Sequence, residues 1–272
     1  MFEAKLAEGH ILKKIIEAIK DLVTDVNIDV TPSGKYTINR SHSNLFNIGL
    51  SLQAMDTSHV ALVSLNLSSE GFEEFRCDNN VVLGINILNL SKVLKLADAT
   101  DSITLQADQD ASTLKIIFQN PKSQRTTEFA LNLITLEVEH LSIPETEYSS
   151  LITINSGEFS KICKELQTLS DSLTIVTQPD NVQLLVEGQA GSGFIKLTAN
   201  DSDRKEDQTT IEVEESVTQQ FALNYLNLFN KAANLSTFTR LALHQEQPLV
   251  TEFKIDQLGV LKYYLAPKIS DE

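Results

Sequence analysis

The sequence predicts an α+β fold built from two copies of one domain, and three observations carry that reading. Most of the chain alternates apolar and polar residues with period two, only four stretches carry a helical period, and the elements recur in the same order in both halves. The 272 residues suffice for two domains of ordinary size. A hydrophobic share of 42% with 22% charged residues is globular composition.

Taken in order, the first helix is expected over His10 to Leu22, where Leu12, Ile15, Ile16 and Ile19 recur at helical steps. Strands follow, clearest at His59 to Leu67. A second helix, Ile87 to Asp98 with Leu90, Val93, Leu94 and Ala97 on one face, leads into strands at Asp101 to Gln106 and Thr127 to Leu133. Ile134 to Tyr148, with Pro144 among acidic and apolar residues, reads as an extended connector. The organisation is therefore domain 1–133, connector 134–148 and domain 149–272. Gly157 to Ser170 restarts the programme with Phe159, Ile162, Cys163 and Leu166 as its apolar face. After a strand at Thr209 to Glu214, a fourth helix over Leu223 to Asn234 carries Tyr225, Leu226, Phe229 and Ala233, and strands at Thr237 to Leu243 and Leu249 to Ile255 follow. Each helix is expected to lay one face on an antiparallel sheet.

The copies differ in one place. His10 to Ile87 is 77 positions and Gly157 to Leu223 is 66, so the first copy carries about 11 extra residues between its helices. The polar, aperiodic segment Lys35 to Gly49, after the turn signal Thr31-Pro32-Ser33-Gly34, accounts for the excess. Two origins stay open for it: an external loop, whose closure cost grows only logarithmically with length, or translated intron sequence, since Gly34-Lys35-Tyr36 can be encoded by GGT AAG TAT, which contains a 5′ splice-site sequence.

Charge is distributed unevenly. The chain holds 22 Lys and Arg against 37 Asp and Glu, a net of -15, which argues against a simple nucleic-acid binder. The four helical stretches reverse the sign: Lys13, Lys14, Lys20, Lys92, Lys95, Lys161, Lys164 and Lys231 stand against Glu17, Asp21, Asp98, Glu158 and Glu165. If the repeat turns these helices to one face, that face is positive on an acidic body and suits a polyanion approached from one direction. Lysines on the polar side of an amphipathic helix are more often merely solvated.

Catalysis, cofactors and metals find no support. His10, His42, His59, His140 and His244 are scattered, and neither His-Glu-x-x-His nor Gly-x-Ser-x-Gly occurs. Asp201-Ser202-Asp203 and Asp108-Gln109-Asp110 lack the glycine and closing glutamate of a calcium loop. Gly188, Gly191 and Gly193 precede a strand and not a helix, so they make no phosphate loop. Cys77 and Cys163 have no ligand-spaced partners, which leaves disulfides and zinc unsupported and fits a reducing compartment. No apolar stretch approaches the roughly 20 residues of a membrane helix, and the N-terminus lacks a signal-peptide core, so a soluble, unexported protein is expected.

Several motifs resemble one family. Leu12-Lys13-Lys14-Ile15, Gln53-Ala54-Met55-Asp56-Thr57-Ser58-His59-Val60, Glu74-Phe75-Arg76-Cys77, Ile143-Pro144-Glu145-Thr146-Glu147-Tyr148, Gly157-Glu158-Phe159 and above all Leu261-Lys262-Tyr263-Tyr264-Leu265-Ala266-Pro267-Lys268-Ile269 are similar to the eukaryotic sliding clamps, the proliferating cell nuclear antigen family. The likeness covers the chain apart from the insert. It implies a non-enzymatic, nuclear processivity factor: a head-to-tail homotrimeric ring, helices lining the hole and sheets outside, encircling double-stranded DNA without reading its sequence. The implied partners are a replicative DNA polymerase, the clamp loader, flap endonuclease, DNA ligase and other carriers of a clamp-binding peptide.

Carried over by position, the resemblance assigns the DNA-facing role to Lys13, Lys14, Lys20, Lys92, Lys95, Lys161, Lys164 and Lys231, where a hydrated point charge on a flexible stem suits a loose grip on phosphates. It assigns a partner-peptide pocket to Met55, Val60, Leu141, Ile143, Tyr148, Ala222, Pro248, Tyr264, Ala266, Pro267 and Lys268, and the subunit interface to Phe129, Gly193 and Ile195, within edge strands about Gln124 to Asn132 and Gly191 to Thr198. Three positions depart from the pattern: Pro179 stands where many relatives carry a modifiable lysine, Asn224 where they carry arginine, and Phe129 where they carry tyrosine. A subunit of a heterotrimeric checkpoint-type clamp would share the fold with dissimilar interface strands, and a monomeric β-rich ligand carrier would need an interior cavity. Mass in solution separates the three.

Overall fold

Period-two alternation dictates where the strands bury their side chains. In Thr113–Asn120, Leu114, Ile116 and Phe118 are buried while the residues between them are at most half-covered; in Ser172–Gln178, Leu173, Ile175 and Thr177 do the same. The computed structural model describes residues 1–32, 48–108, 110–137, 147–201, 204 and 207–268. Within them the chain runs β1 (Phe2–Leu6), α1 (Gly9–Ile19), β2 (Asp25–Val30), β3 (Ile48–Met55), β4 (Ala61–Ser68), β5 (Glu74–Cys77), β6 (Val81–Asn86), α2 (Ile87–Leu94), β7 (Ser102–Ala107), β8 (Thr113–Asn120) and β9 (Arg125–Asn132). It then repeats: β10 (Ser150–Asn155), α3 (Ser156–Gln167), β11 (Ser172–Gln178), β12 (Asn181–Gly188), β13 (Gly191–Thr198), β14 (Thr210–Val213), β15 (Thr218–Ala222), α4 (Leu223–Phe229), β16 (Phe238–Leu243), β17 (Leu249–Ile255) and β18 (Gly259–Leu265). The two runs are identical in element order.

Strand order repeats as well. The first copy orders one sheet β5-β1-β7-β8-β9, and the second orders its counterpart β14-β10-β16-β17-β18; the other pair is β4-β3-β2-β6 and β13-β12-β11-β15. The chain nevertheless divides unevenly into two compact units. Residues 1–54, 63–141 and 255–261 make the first, and 55–62, 142–254 and 262–272 make the second. In the first unit the amide of Ser68 donates to the Leu258 carbonyl at 2.7 Å, so that the end of β4 is covered by the start of the β18 hairpin.

The expected apolar faces of α1 and α3 are the observed ones, whereas Val93 of the second helix and Tyr225 and Ala233 of the fourth are only half-buried. Leu12, Ile15, Ile16 and Ile19 of α1 and Phe159, Ile162, Cys163 and Leu166 of α3 are all buried. Side-chain caps fix two starts: Asn86 accepts from the Asn89 amide at 3.0 Å, and Asn155 from the Glu158 amide at 3.1 Å. The ends fall earlier than the apolar period predicts. After α1, α2 and α3 the amides of Leu22, Leu96 and Leu169 donate to the carbonyls three residues back, at 2.9, 3.0 and 3.0 Å. After α4 the chain tightens into a 3₁₀ turn over Asn230–Asn234. A 3₁₀ turn keeps apolar residues at steps of three, so periodicity runs past the true helix end. Several strand limits also move by one or two residues, and two of the shifts have a local cause. β4 starts at Ala61 because His59 takes a left-handed φ of 56° in the preceding turn. Ile48 and Gly49, read as the end of the insert, already belong to β3, where the Gly49 carbonyl accepts from the Thr31 amide at 3.0 Å. The insert from Lys35 to Phe46 and Asn47 lies outside the described residues, as do Ser202, Asp203 and Gln109.

The second unit is organised around stacked rings. Phe229 at the end of α4 lies flat against Tyr263 of β18, centroids 4.5 Å apart and planes 7° apart, while Phe253 of β17 meets Tyr263 edge-on at 6.1 Å. All three are fully buried. Phe229→Ala is expected to destabilise the second unit by about 3–5 kcal/mol through the cavity it leaves, read as an early unfolding transition in a urea titration. A loss below about 1 kcal/mol would show that the stack is not a structural centre.

Candidate functional site

The lysines lie where amphipathic helices put them, opposite the buried stripes. Lys14, Lys92, Lys95, Lys161, Lys164 and Lys231 are exposed, and Lys13 and Lys20 half-buried. In the first unit, Lys13 reaches the Ala97 carbonyl at 3.5 Å. Lys20, the residue after α1, and Lys95, the residue after α2, both turn to Glu17 of α1; Lys20 makes the closer pair and Lys95 stands at 3.7 Å. Glu17 also accepts from the buried Ser91 hydroxyl of α2 at 2.8 Å. Burial acts to raise its pKa, but the hydrogen bonds from Lys20 and Ser91 and the charges of Lys20 and Lys95 outweigh that and hold it below the ordinary value. In the second unit, Lys161 pairs with Glu165 one turn on at 3.8 Å. Among the described residues, Lys14, Lys92 and Lys164 have no hydrogen-bond or ion-pair partner.

A second group of assigned residues is drawn together by hydrogen bonds within the second unit. The Val60 carbonyl accepts from the Ala266 amide at 3.0 Å, and the Gln220 carbonyl from the Lys268 amide at 2.7 Å. The Lys268 ammonium reaches the Ser172 hydroxyl at 2.6 Å, and Ser172 faces Ala222 across β11 and β15. Gln219 donates to the carbonyl of Gln247, next to the exposed Pro248, at 3.1 Å. Met55, Tyr148, Tyr264 and Pro267 are half-buried. Burial pushes the Tyr264 phenol up to about 12, with help from Tyr148 and Glu252, and burial with Glu252 raises Tyr148 too. Both rings therefore stay neutral and serve as apolar surface with a polar tip. Leu141 and Ile143 lie outside the described residues.

The turn that carries Val60 is held by a residue the sequence reading passed over. Asp56, only 6% exposed, accepts from the amides of Ala61 at 2.7 Å, Val60 at 2.8 Å and Ser58 at 3.1 Å, and from the Tyr225 hydroxyl of α4 at 2.7 Å. Burial would raise its pKa, but these four donors outweigh it and hold the carboxyl below the usual range. The Asp56-Thr57-Ser58 sequence signals such a turn, because aspartate bonds its own backbone a few residues on. Its partner 169 positions away could not be read.

The assigned interface residues lie on two edge strands. β9 closes one sheet and β13 another, each with a single neighbour. The Phe129 ring is half-buried, tilted against Phe118 at 5.7 Å. Ile195 is half-buried and Gly193 open. The residue between them, Phe194, is 63% exposed and was missed; alternation about Ile195 and Leu197 would have placed it on the outward side.

Family comparison agrees with this architecture. The model of the proliferating cell nuclear antigen N-terminal domain matches residues 1–140, and that of the C-terminal domain matches residues 142–268.

The Asp56 latch has a pH signature. Its carboxyl binds a proton more readily in the unfolded chain than in the folded one, so its contribution is complete above the unfolded pKa and is lost as pH falls through the folded one. Asp56→Ala is expected to cost about 2 kcal/mol at neutral pH, and the gap from the wild type should close as the pH drops below about 4. Parallel denaturant titrations check this; a gap that stayed constant into acid would remove the charged latch.

Proposed function

The chain belongs to the proliferating cell nuclear antigen family, and from that membership we propose that it works as a homotrimeric ring in the nucleus, loaded onto primed DNA to hold a replicative polymerase in place. Clamps of this family are non-enzymatic scaffolds that encircle DNA and bind replication proteins, and the chain has the two-domain α+β DNA clamp fold. The observation that carries the trimer is the pair of open edges. Among the described residues β9 and β13 are the longest strands paired on one side only, while their counterparts in the other copy, β18 and β4, are mostly buried along their length. Head-to-tail pairing of β9 with β13 of the next subunit would cover both edges in every copy and close after three. Phe129 and Phe194 supply the apolar anchors.

Duplex DNA would pass along the lysine faces, with Lys14, Lys92 and Lys164 the cations freest to meet phosphates. Lysine at these positions gives a grip that is ionic, salt-dependent and blind to sequence. Partner peptides from the polymerase, clamp loader, flap endonuclease and DNA ligase would dock on the edge formed by Val60, Ala222, Pro248, Tyr264, Ala266 and Lys268. Met55, Tyr148 and Pro267 complete the described part of that surface, and Leu141 and Ile143, outside the described residues, are assigned to the same pocket.

Light scattering tests the assembly directly. A trimer mass is expected for the wild type and a monomer for Phe129→Ala at micromolar concentration. A wild-type monomer would favour a subunit of a heterotrimeric clamp and overturn the homotrimer. Docking is tested by calorimetry with a Gln-x-x-aliphatic-x-x-aromatic-aromatic peptide. Tyr264→Ala should weaken binding by about 2 kcal/mol, some 30-fold in Kd; unchanged affinity would remove the pocket.

A further inference from the structure

Of the eight helix lysines, two are held by one and the same carboxylate before DNA arrives. Glu17 receives Lys20 from its own helix and Lys95, at 3.7 Å, from beyond the end of α2. It is not a freely swinging surface acid. Its oxygen also takes the Ser91 hydroxyl at 2.8 Å, and Ser91 is 3% exposed, so the carboxylate is fixed to the seam where α1 meets α2. The Glu17 side chain is 34% exposed and Lys95 56%, which leaves both within reach of solvent and of any ligand on that face.

We propose that Glu17 is a built-in counter-ion that competes with DNA phosphates for Lys20 and Lys95 and so sets how loosely the first unit holds the duplex. The inference rests on the reading of the helix faces as DNA-facing. A lysine leaving bulk water for a phosphate releases a condensed cation and gains affinity. A lysine leaving Glu17 must first give up an ion pair, and the carboxylate, stitched to Ser91, stays behind to repel the incoming phosphate. Lys14 and Lys92 carry no such debt. The two helices thus present two classes of cation: some that meet phosphate directly and a pair attenuated at its root.

Glu17→Gln separates the charge from the stitch, because the glutamine carbonyl oxygen can still accept from Ser91. The probe is a short labelled duplex titrated into the intact protein by fluorescence anisotropy across a salt series. The variant is expected to bind more tightly than the wild type at low salt and to show a steeper salt slope by about one. That change narrows its advantage roughly 3-fold between 50 and 200 mM. In a Lys20→Ala, Lys95→Ala background the same substitution should change little, since no attenuated lysine remains to be released.

Wild-type and Glu17→Gln protein with equal affinity, alongside weakening by Lys14→Ala, would overturn the counter-ion and leave the DNA-facing reading standing. Equal tightening in the double-alanine background would also overturn it, by showing that only overall charge matters. If the wild type showed no salt-dependent binding and no lysine variant changed it, the DNA-facing reading itself would fail and take the inference with it.

Discussion

A strand at the edge of a sheet leaves half of its amides and carbonyls without a partner in that sheet, and among the described edge strands β9 and β13, at 8 residues each, present the longest open rows. The rest of the architecture follows from how the duplicated domain deals with it. Each copy builds the same two sheets in the same strand order, so each copy makes one outer strand of each kind. In the first unit β4 is met by the hairpin after Ile255, through the Ser68 amide and Leu258 carbonyl. In the second, the Val60 carbonyl is met by the Ala266 amide. Among the described residues β9 and β13 have no such partner, and they stay open along their length: no residue of β13 is buried, and Leu131 alone is buried in β9.

The helices obey a second constraint of the same kind. An amphipathic helix can bury only one stripe, and α1 and α3 give theirs fully to the sheet. What remains outward is polar by necessity and basic by composition. On a chain of net charge -15, keeping eight lysines on and just beyond these helices concentrates positive charge there, while the rest of the chain holds 14 Lys and Arg against 32 Asp and Glu. The fold does not make the site chemically; it makes a surface on which, under the proposed reading, small electrostatic choices such as the placement of Glu17 would decide how strongly a polyanion is held.

Legibility in the sequence followed the range of the interaction. Repeats of three and four residues exposed Leu12, Ile15, Ile16 and Ile19 as a buried stripe, and alternation exposed β17 with its observed limits, Leu249–Ile255. Helix ends were not legible because a 3₁₀ turn preserves the apolar rhythm while changing the hydrogen bond. The limit of the insert slipped for a related reason: Ile48-Gly49 is too short to show a period before β3 is under way. Phe194 was legible in principle, from its alternation with Ile195, but the resemblance drew attention to its neighbours. The bond from Tyr225 to Asp56 and the bond from Ser91 to Glu17 span 169 and 74 positions, and no local pattern encodes a partner at that distance.

A surface that must hold a polymer while letting it move is limited by its strongest contact, because the deepest well sets the barrier to the next position. A bidentate arginine would dig such a well at each phosphate. Lysines on flexible stems spread the same charge over many equivalent geometries, and exposed pairs of this kind are each worth only about 1 kcal/mol or less. The pairing of Lys20 and Lys95 with Glu17 carries that logic one step inward. It leaves two positive charges on the face, available to long-range attraction, while shrinking the gain from closing on any single phosphate. If DNA passes along this face as proposed, attraction and adhesion are thereby separated: the lysines would gather the duplex, and the carboxylate beneath them would keep contact from becoming capture.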